Sequence, residues 1–179
     1  TTLRPLSLSS TAAGSRIRAR RKRPRCLAGY LGGGATEEHT LRANVRGWQD
    51  IALRQRVLID VDNVDTRTEL AGQSCSMPVA LAPLGLAGMM AQRGEAQAVK
   101  AANAAEVPFT LSTVGICPLE EVKAAATAPF WFQLYMIRDR DYVDTLLKKA
   151  WDAVCQTAII TIDLPLHGPR ARAPRSGRQ

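Results

Sequence analysis

The sequence predicts an α/β fold in which repeated βα units lie on a parallel sheet. Two observations carry this. From Val79 onward, short β-branched or aromatic runs alternate with Ala/Glu/Lys-rich stretches, the order expected when a helix follows each strand and crosses back over the sheet. The runs also recur at intervals of about 20 to 30 residues, the size of one unit of a (β/α)8 barrel.

The elements follow in chain order. Residues 1–15 (TTLRPLSLSSTAAGS) are small and hydroxylated without a hydrophobic period, and read as a flexible leader that runs on through the basic stretch to residue 25. Residues 26–78 read as a helical and loop segment, and 79–179 as the first four βα units. Strands are expected near Val79–Ala82, Phe109–Ser112, Phe130–Tyr135 and Ala158–Ile162, with helices over Gly94–Ala105, Pro118–Ala126 and Arg138–Val154. Pro118 suits a first helical turn, with Glu120 and Glu121 placed early against the helix dipole. In the third helix Tyr142, Leu146, Leu147 and Ala150 recur at three- and four-residue spacing and should form its apolar face.

The positive excess is confined to the ends. The chain carries +8, but eight of its 24 basic residues fall between Arg4 and Arg25, where there is no acid. Four more, at Arg170, Arg172, Arg175 and Arg178, follow the last acid, Asp163. The body from 26 to 169 is left with 12 bases against 16 acids, so it is mildly acidic and no nucleic-acid partner is expected for it. The acid-free, Ser- and Arg-rich start also has the composition of an organelle transit peptide, the lesser alternative to a cytoplasmic chain. Cys26, Cys75, Cys117 and Cys155 lie far apart without CxxC or Cys/His ligand spacing. No metal site is expected, and the thiols read as reduced core residues. Trp48, Trp131 and Trp151 read as packing residues, and His39 and His167 as surface histidines.

Each expected strand ends in chemistry. The first runs into Ala82-Pro83 and the glycine-containing Leu84-Gly85-Leu86-Ala87-Gly88; the others end in Ser112-Thr113, Gln133-Leu134-Tyr135 and Thr161-Ile162-Asp163. In a parallel barrel these C-terminal ends converge on the ligand side. Neutral Ser, Gln and Thr there suit the polar edge of a planar heterocycle better than a metal or phosphate. Any one of them also has the plainer role of satisfying strand-end backbone groups.

Six segments together carry a family resemblance: Tyr30–Ala35 with Glu38–Arg42, Ala52–Leu58, Ser76–Pro83, Pro108–Thr113, Trp131–Tyr135 and Thr161–Pro165. In this order they resemble the FMN-dependent α-hydroxy acid dehydrogenase and oxidase family, most nearly its bacterial respiratory L-lactate dehydrogenase branch. The resemblance implies the N-terminal half of a (β/α)8 TIM barrel. It implies FMN as cofactor and oxidation of a small L-2-hydroxy acid such as L-lactate to the 2-keto acid, with a quinone, a cytochrome or oxygen as electron acceptor. By that analogy the backbone of Pro83, Leu84 and Gly85 lines the flavin ring and Ser112, Gln133 and Thr161 bond its polar edge. Tyr30, Tyr135 and Arg170 then meet the substrate, although Arg170 also reads as a solvated charge in a basic tail.

The family's catalytic histidine belongs to the half not represented here, so no catalytic residue is assigned. Two departures stand out. Gly29 and Gly32 flank Tyr30 where the family commonly has acidic residues, and Ala171, Ala173 and Arg175 replace an expected Tyr, Asp and His. The chain therefore reads as a truncated family member, or as a non-catalytic half-barrel that associates with other chains through its unpaired sheet edges. A homo-oligomer is expected where the full barrel exists, with peripheral contact of the basic ends at an anionic inner-membrane surface.

Overall fold

A computed structural model of the chain describes residues 23–163, 168 and 169. Two compact units divide between Val57 and Leu58, with Gly168 and Pro169 joined to the first.

In the first unit, Pro24 stands at the N-cap of α1 (Arg25–Gly32), and α2 spans His39–Gln49. The turn between them is closed by the Gly34 amide, which donates to Glu38 Oε1 at 3.1 Å. The Thr36 amide donates to the Pro169 carbonyl at 2.8 Å. Neither helix buries a side chain: Trp48 is 78% exposed, so it is not the packing residue expected from its type.

The second unit opens with an antiparallel hairpin, β1 (Thr68–Leu70) against β2 (Gln73–Cys75), that the sequence reading does not contain. Its two turn residues, Ala71 and Gly72, both have positive φ, 49° and 79°, the condition for the turn whose twist matches a two-residue hairpin. The chain then touches the parallel sheet at one bridge, Leu81 to Phe109. A short helix α3 (Ala87–Met90) and then α4 (Gly94–Ala104) lead to β3 (Thr110–Ser112), followed by α5 (Leu119–Ala125), β4 (Trp131–Tyr135), α6 (Arg140–Asp152) and β5 (Ala158–Thr161). The sheet order is β3-β4-β5, all parallel, so each neighbouring pair of strands is joined through a helix. This is the α/β alternation read from the sequence.

The strand expected at Val79–Ala82 is reduced to that single bridge because Pro78 and Pro83 bracket it and neither has an N–H to give to a ladder. Within it only Leu81 bonds toward the sheet, donating to the Pro108 carbonyl at 2.8 Å and accepting from the Thr110 amide at 3.1 Å. Pro118 is the N-cap of α5 rather than a first-turn residue, and Asp139 caps α6 by accepting from the Tyr142 amide at 3.0 Å. On α6 the buried residues are Val143 and Ala150, with Leu146 packed against the core, whereas Tyr142 is half exposed.

The register separates two chemistries. Thr110 pairs with Trp131, Ser112 with Gln133, Gln133 with Ile159 and Tyr135 with Thr161, so these residues share one sheet face. The opposite face, with Leu111, Phe132 and Leu134, joins Val99, Ala102, Val122, Val143 and Ala150 in one core cluster. Each buried Val, Leu or Phe among them contributes about 1.5 to 3 kcal/mol of transfer free energy. Apolar helix-facing residues thus hold the sheet, leaving its other face free to carry polar groups.

Candidate functional site

The polar face carries a connected row at the C-terminal ends of the strands. Ser112 Oγ donates to Gln133 Oε1 at 2.9 Å, and Gln133 Nε2 donates to Thr161 Oγ1 at 2.8 Å. The Thr113 amide also approaches Gln133 Oε1, at 3.3 Å. Because that N–H can only donate, it fixes which end of the Gln133 amide faces β3. Ser112 and Gln133 are buried and Thr161 is half-buried. Thr113, expected only as the end of its strand, stitches the strand ends together: its hydroxyl donates to the Gln133 carbonyl and accepts from the Tyr135 amide at 3.2 Å.

Tyr135 lies two residues beyond Gln133 on the same face, opposite Thr161, and is half-buried. The Trp131 ring is on this face too, partly buried, with its Nε1 lacking a hydrogen-bond partner among the described residues. Trp151, by contrast, is 69% exposed and is not a packing residue. Tyr30 belongs to α1 of the first unit. Arg170 and His167 lie outside the described residues, while His39 is exposed on α2 against Arg42.

Beside the row, Pro83, Leu84 and Gly85 form a short stretch of irregular backbone, with Leu84 and Gly85 exposed. Its approach to the β3 end is close: a Cβ on Gly85 would stand 2.8 Å from Val114 Cγ2, so only glycine leaves room. The Leu86 amide donates to the Val114 carbonyl at 3.0 Å, joining the two loops through backbone.

A buried carboxylate underlies both loops. Glu95, in the first turn of α4 and 2% exposed, accepts through Oε1 from the Gly88 amide at 3.1 Å and the Ile116 amide at 2.8 Å. Burial pushes its pKa up, but the Ile116 amide, the Cys117 thiol, its own amide and the Gly88 amide together hold it below the ordinary carboxylate value. The sequence signal was a lone acid opening a helix after Gly94, indistinguishable from an ordinary dipole-complementing residue.

The polar row itself is neutral. Among the described residues no group of His, Cys, Asp and Glu can hold a metal ion, and no helix is long and apolar enough to cross a membrane. Two open grooves of about 480 and 550 Å³, between α4 and α5 and beside the β1–β2 hairpin, include none of the row residues.

Comparison with known proteins places this geometry. Residues 19–179 match the family model for FMN-dependent dehydrogenase. L-lactate dehydrogenase from Ectopseudomonas mendocina is 51% identical over 168 residues, covering 94% of this chain and 44% of that protein. The L-lactate dehydrogenase of Caulobacter sp. (strain K31) is 52% identical with the same coverage. Among solved structures, mandelate oxidase with 3,3-difluoro-2-hydroxy-3-phenylpropionic acid superposes with TM-score 0.86 at 33% identity, over 92% of this chain and 50% of that one. An active chimera of (S)-mandelate dehydrogenase gives 0.87 at 28%, over 93% and 47%. The chain spans about half the length of the curated relatives it matches, and its three consecutive parallel strands, with the Leu81 bridge, belong to the half of a TIM barrel that it covers. With the family model matched from residue 19 to the last residue and the neutral row set on successive strand ends, the chain belongs to the FMN-dependent dehydrogenase family.

Proposed function

We propose that this chain supplies the flavin-cradling and substrate-orienting side of an FMN-dependent oxidation of a small L-2-hydroxy acid, L-lactate foremost, to its 2-keto acid. The observation that carries the reading is the Ser112, Gln133 and Thr161 row across three adjacent strands. Within that row Gln133 spends one amide proton and Thr161 acts as an acceptor. The second amide proton and the Thr161 hydroxyl proton therefore suit the carbonyl and ring-nitrogen acceptors on the polar edge of FMN. The exposed backbone of Pro83, Leu84 and Gly85 suits the flat face of the ring, since Gly85 carries no side chain to hold it off. When bound, FMN takes up the electron pair that leaves the substrate α-carbon.

Tyr135 orients the substrate from the same sheet face. Tyr30 and Arg170 join it by the resemblance, Arg170 through a planar, permanently charged fork suited to a carboxylate. Residues 58–163 contain no histidine, so this unit orients the substrate and leaves removal of the hydroxyl proton to another group. A quinone, a cytochrome or oxygen as acceptor, and a cytoplasmic seat against the inner membrane, complete the reading.

FMN titrated into the full chain, alone and co-expressed with the C-terminal half of a relative, tests this by quenching of flavin fluorescence. Saturable binding is expected, with loss of the visible flavin absorbance when L-lactate is added to the complemented protein. No flavin binding in either preparation overturns the reading.

One observation favours a second reading, a non-catalytic half-barrel that associates with other chains. Among the described residues the far edge of β5 pairs with no strand, and Ile160 and Ile162 are 53% and 88% exposed. Light scattering that shows oligomers devoid of flavin would select it.

A further inference from the structure

Glu95 is an unusual residue for a buried first turn, at 2% exposed. Its Oε2 is buried without a hydrogen-bond partner, and among the described residues no basic side chain pairs with it. Burial disfavours a carboxylate unless hydrogen bonds offset the lost water, and here the donors converge on Oε1 alone. What it does hold is specific. The Gly88 amide belongs to the segment that follows Pro83, Leu84 and Gly85, and the Ile116 amide to the loop that follows Ser112 and Thr113. One oxygen therefore ties the first turn of α3, just after the Pro83–Gly85 stretch, to the loop that leaves β3.

The glycines around it show how tightly the loops are drawn. A Cβ on Gly88 would stand 2.6 Å from Ile116 Cβ and 3.2 Å from Glu95 Oε2. A Cβ on Gly115 would stand 3.2 Å from the Ser112 carbonyl oxygen and 3.6 Å from Glu95 Oε1. On the helix side, a Cβ on Gly94 would meet the Ala87 carbonyl oxygen at 2.6 Å, so α4 is pressed against α3 as it delivers the carboxylate.

We propose that Glu95 is a positioning residue for flavin: its buried carboxylate fixes the height of the exposed Pro83–Gly85 backbone over the Ser112–Gln133–Thr161 row. The inference rests on the flavin reading of that row. Glu95 touches neither cofactor nor substrate and acts through the two backbone amides it holds.

The test uses the full chain with FMN as probe, and two readouts. One is hydrogen exchange at the Gly88 and Ile116 amides without flavin; the other is FMN affinity by fluorescence quenching. Glu95→Leu is expected to keep the cooperative unfolding transition, lose protection at both amides and weaken FMN binding by about tenfold, the affinity equivalent of one hydrogen bond to a charged acceptor. Glu95→Gln, which retains an acceptor oxygen, is expected to restore protection and affinity together.

Unchanged FMN affinity in a folded Glu95→Leu overturns the proposal while the flavin reading stands. Protected amides in a wild-type chain that binds no FMN overturn the flavin reading, and the proposal with it. If Glu95→Leu does not fold, Gly88→Ala decides. Its methyl group pushes the start of α3 off Ile116, so a matching loss of affinity supports the proposal and wild-type affinity overturns it.

Discussion

Gln133→Leu probes the row at its centre. Leucine nearly matches glutamine in volume, so the substitution leaves little cavity at a position that is 2% exposed. It removes three contacts: Ser112 Oγ at 2.9 Å, the Thr113 amide at 3.3 Å and Thr161 Oγ1 at 2.8 Å. Thr161 is half-buried and regains water, whereas buried Ser112 still accepts from the Val114 amide but keeps an unmet hydroxyl proton. One orphaned buried polar group costs about 1 to 3 kcal/mol, partly offset by the added apolar burial. In a chain of this size that lowers Tm by about 2 to 10 °C. The same change removes the amide donor meant for the flavin edge, so FMN affinity should fall about tenfold or more. Urea unfolding with an unchanged m-value measures the first effect and flavin fluorescence titration the second. A folded Gln133→Leu chain that binds FMN as tightly as wild type refutes the role of the row, and a variant more stable than wild type refutes the hydrogen-bond accounting.

Three further outcomes follow from the same geometry. Leu134→Ala, on the helix-facing side and 2% exposed, should destabilise by about 2 to 5 kcal/mol in urea unfolding, since that face holds the sheet. Glu95 has a folded pKa below the ordinary value of 4.5; the stability it contributes is fully present above that value and is lost as pH falls through the folded value. Wild type should therefore lose stability below about pH 4.5 more steeply than Glu95→Gln, as read from urea midpoints across that range. Of the four free thiols only Cys26 is exposed, and burial pushes Cys155 up to about 12. A thiol reagent near neutral pH should therefore titrate Cys26 rapidly in the native chain and all four cysteines in denaturant.

Much of the fold was legible because periodicity and burial agree. β3, β4 and β5 and helices α4 to α6 stand within two residues of their expected ends. Where they disagree, a local effect explains it. Pro78 and Pro83 strip the donors from the first expected strand, and the Ala71-Gly72 turn makes a hairpin without the Asn or Asp that advertises one. On α6 the expected apolar face starts at Tyr142, whereas packing against the sheet buries Val143 and leaves Tyr142 half exposed.

The site divides in the same way. Ser112, Gln133 and Thr161 were visible as polar residues closing apolar runs, and the strand register brings them into one row. The bonding role of Thr113 and the place of Glu95 were not legible, because they arise from contacts 20 to 22 residues away in sequence with groups that carry no side-chain signature: the Gln133 carbonyl, the Tyr135 amide and the Ile116 amide.

The most direct test of the flavin cradle is a map of where FMN lands. In an isotope-labelled full chain, amide resonances followed during FMN addition should shift at Leu84–Leu86, Ser112–Val114, Gln133–Tyr135 and Thr161, with those of Lys100 and Glu121 on the helix side unmoved. Shifts confined to the basic stretch between Arg16 and Arg25, where the FMN phosphate would find only charge, would contradict the account.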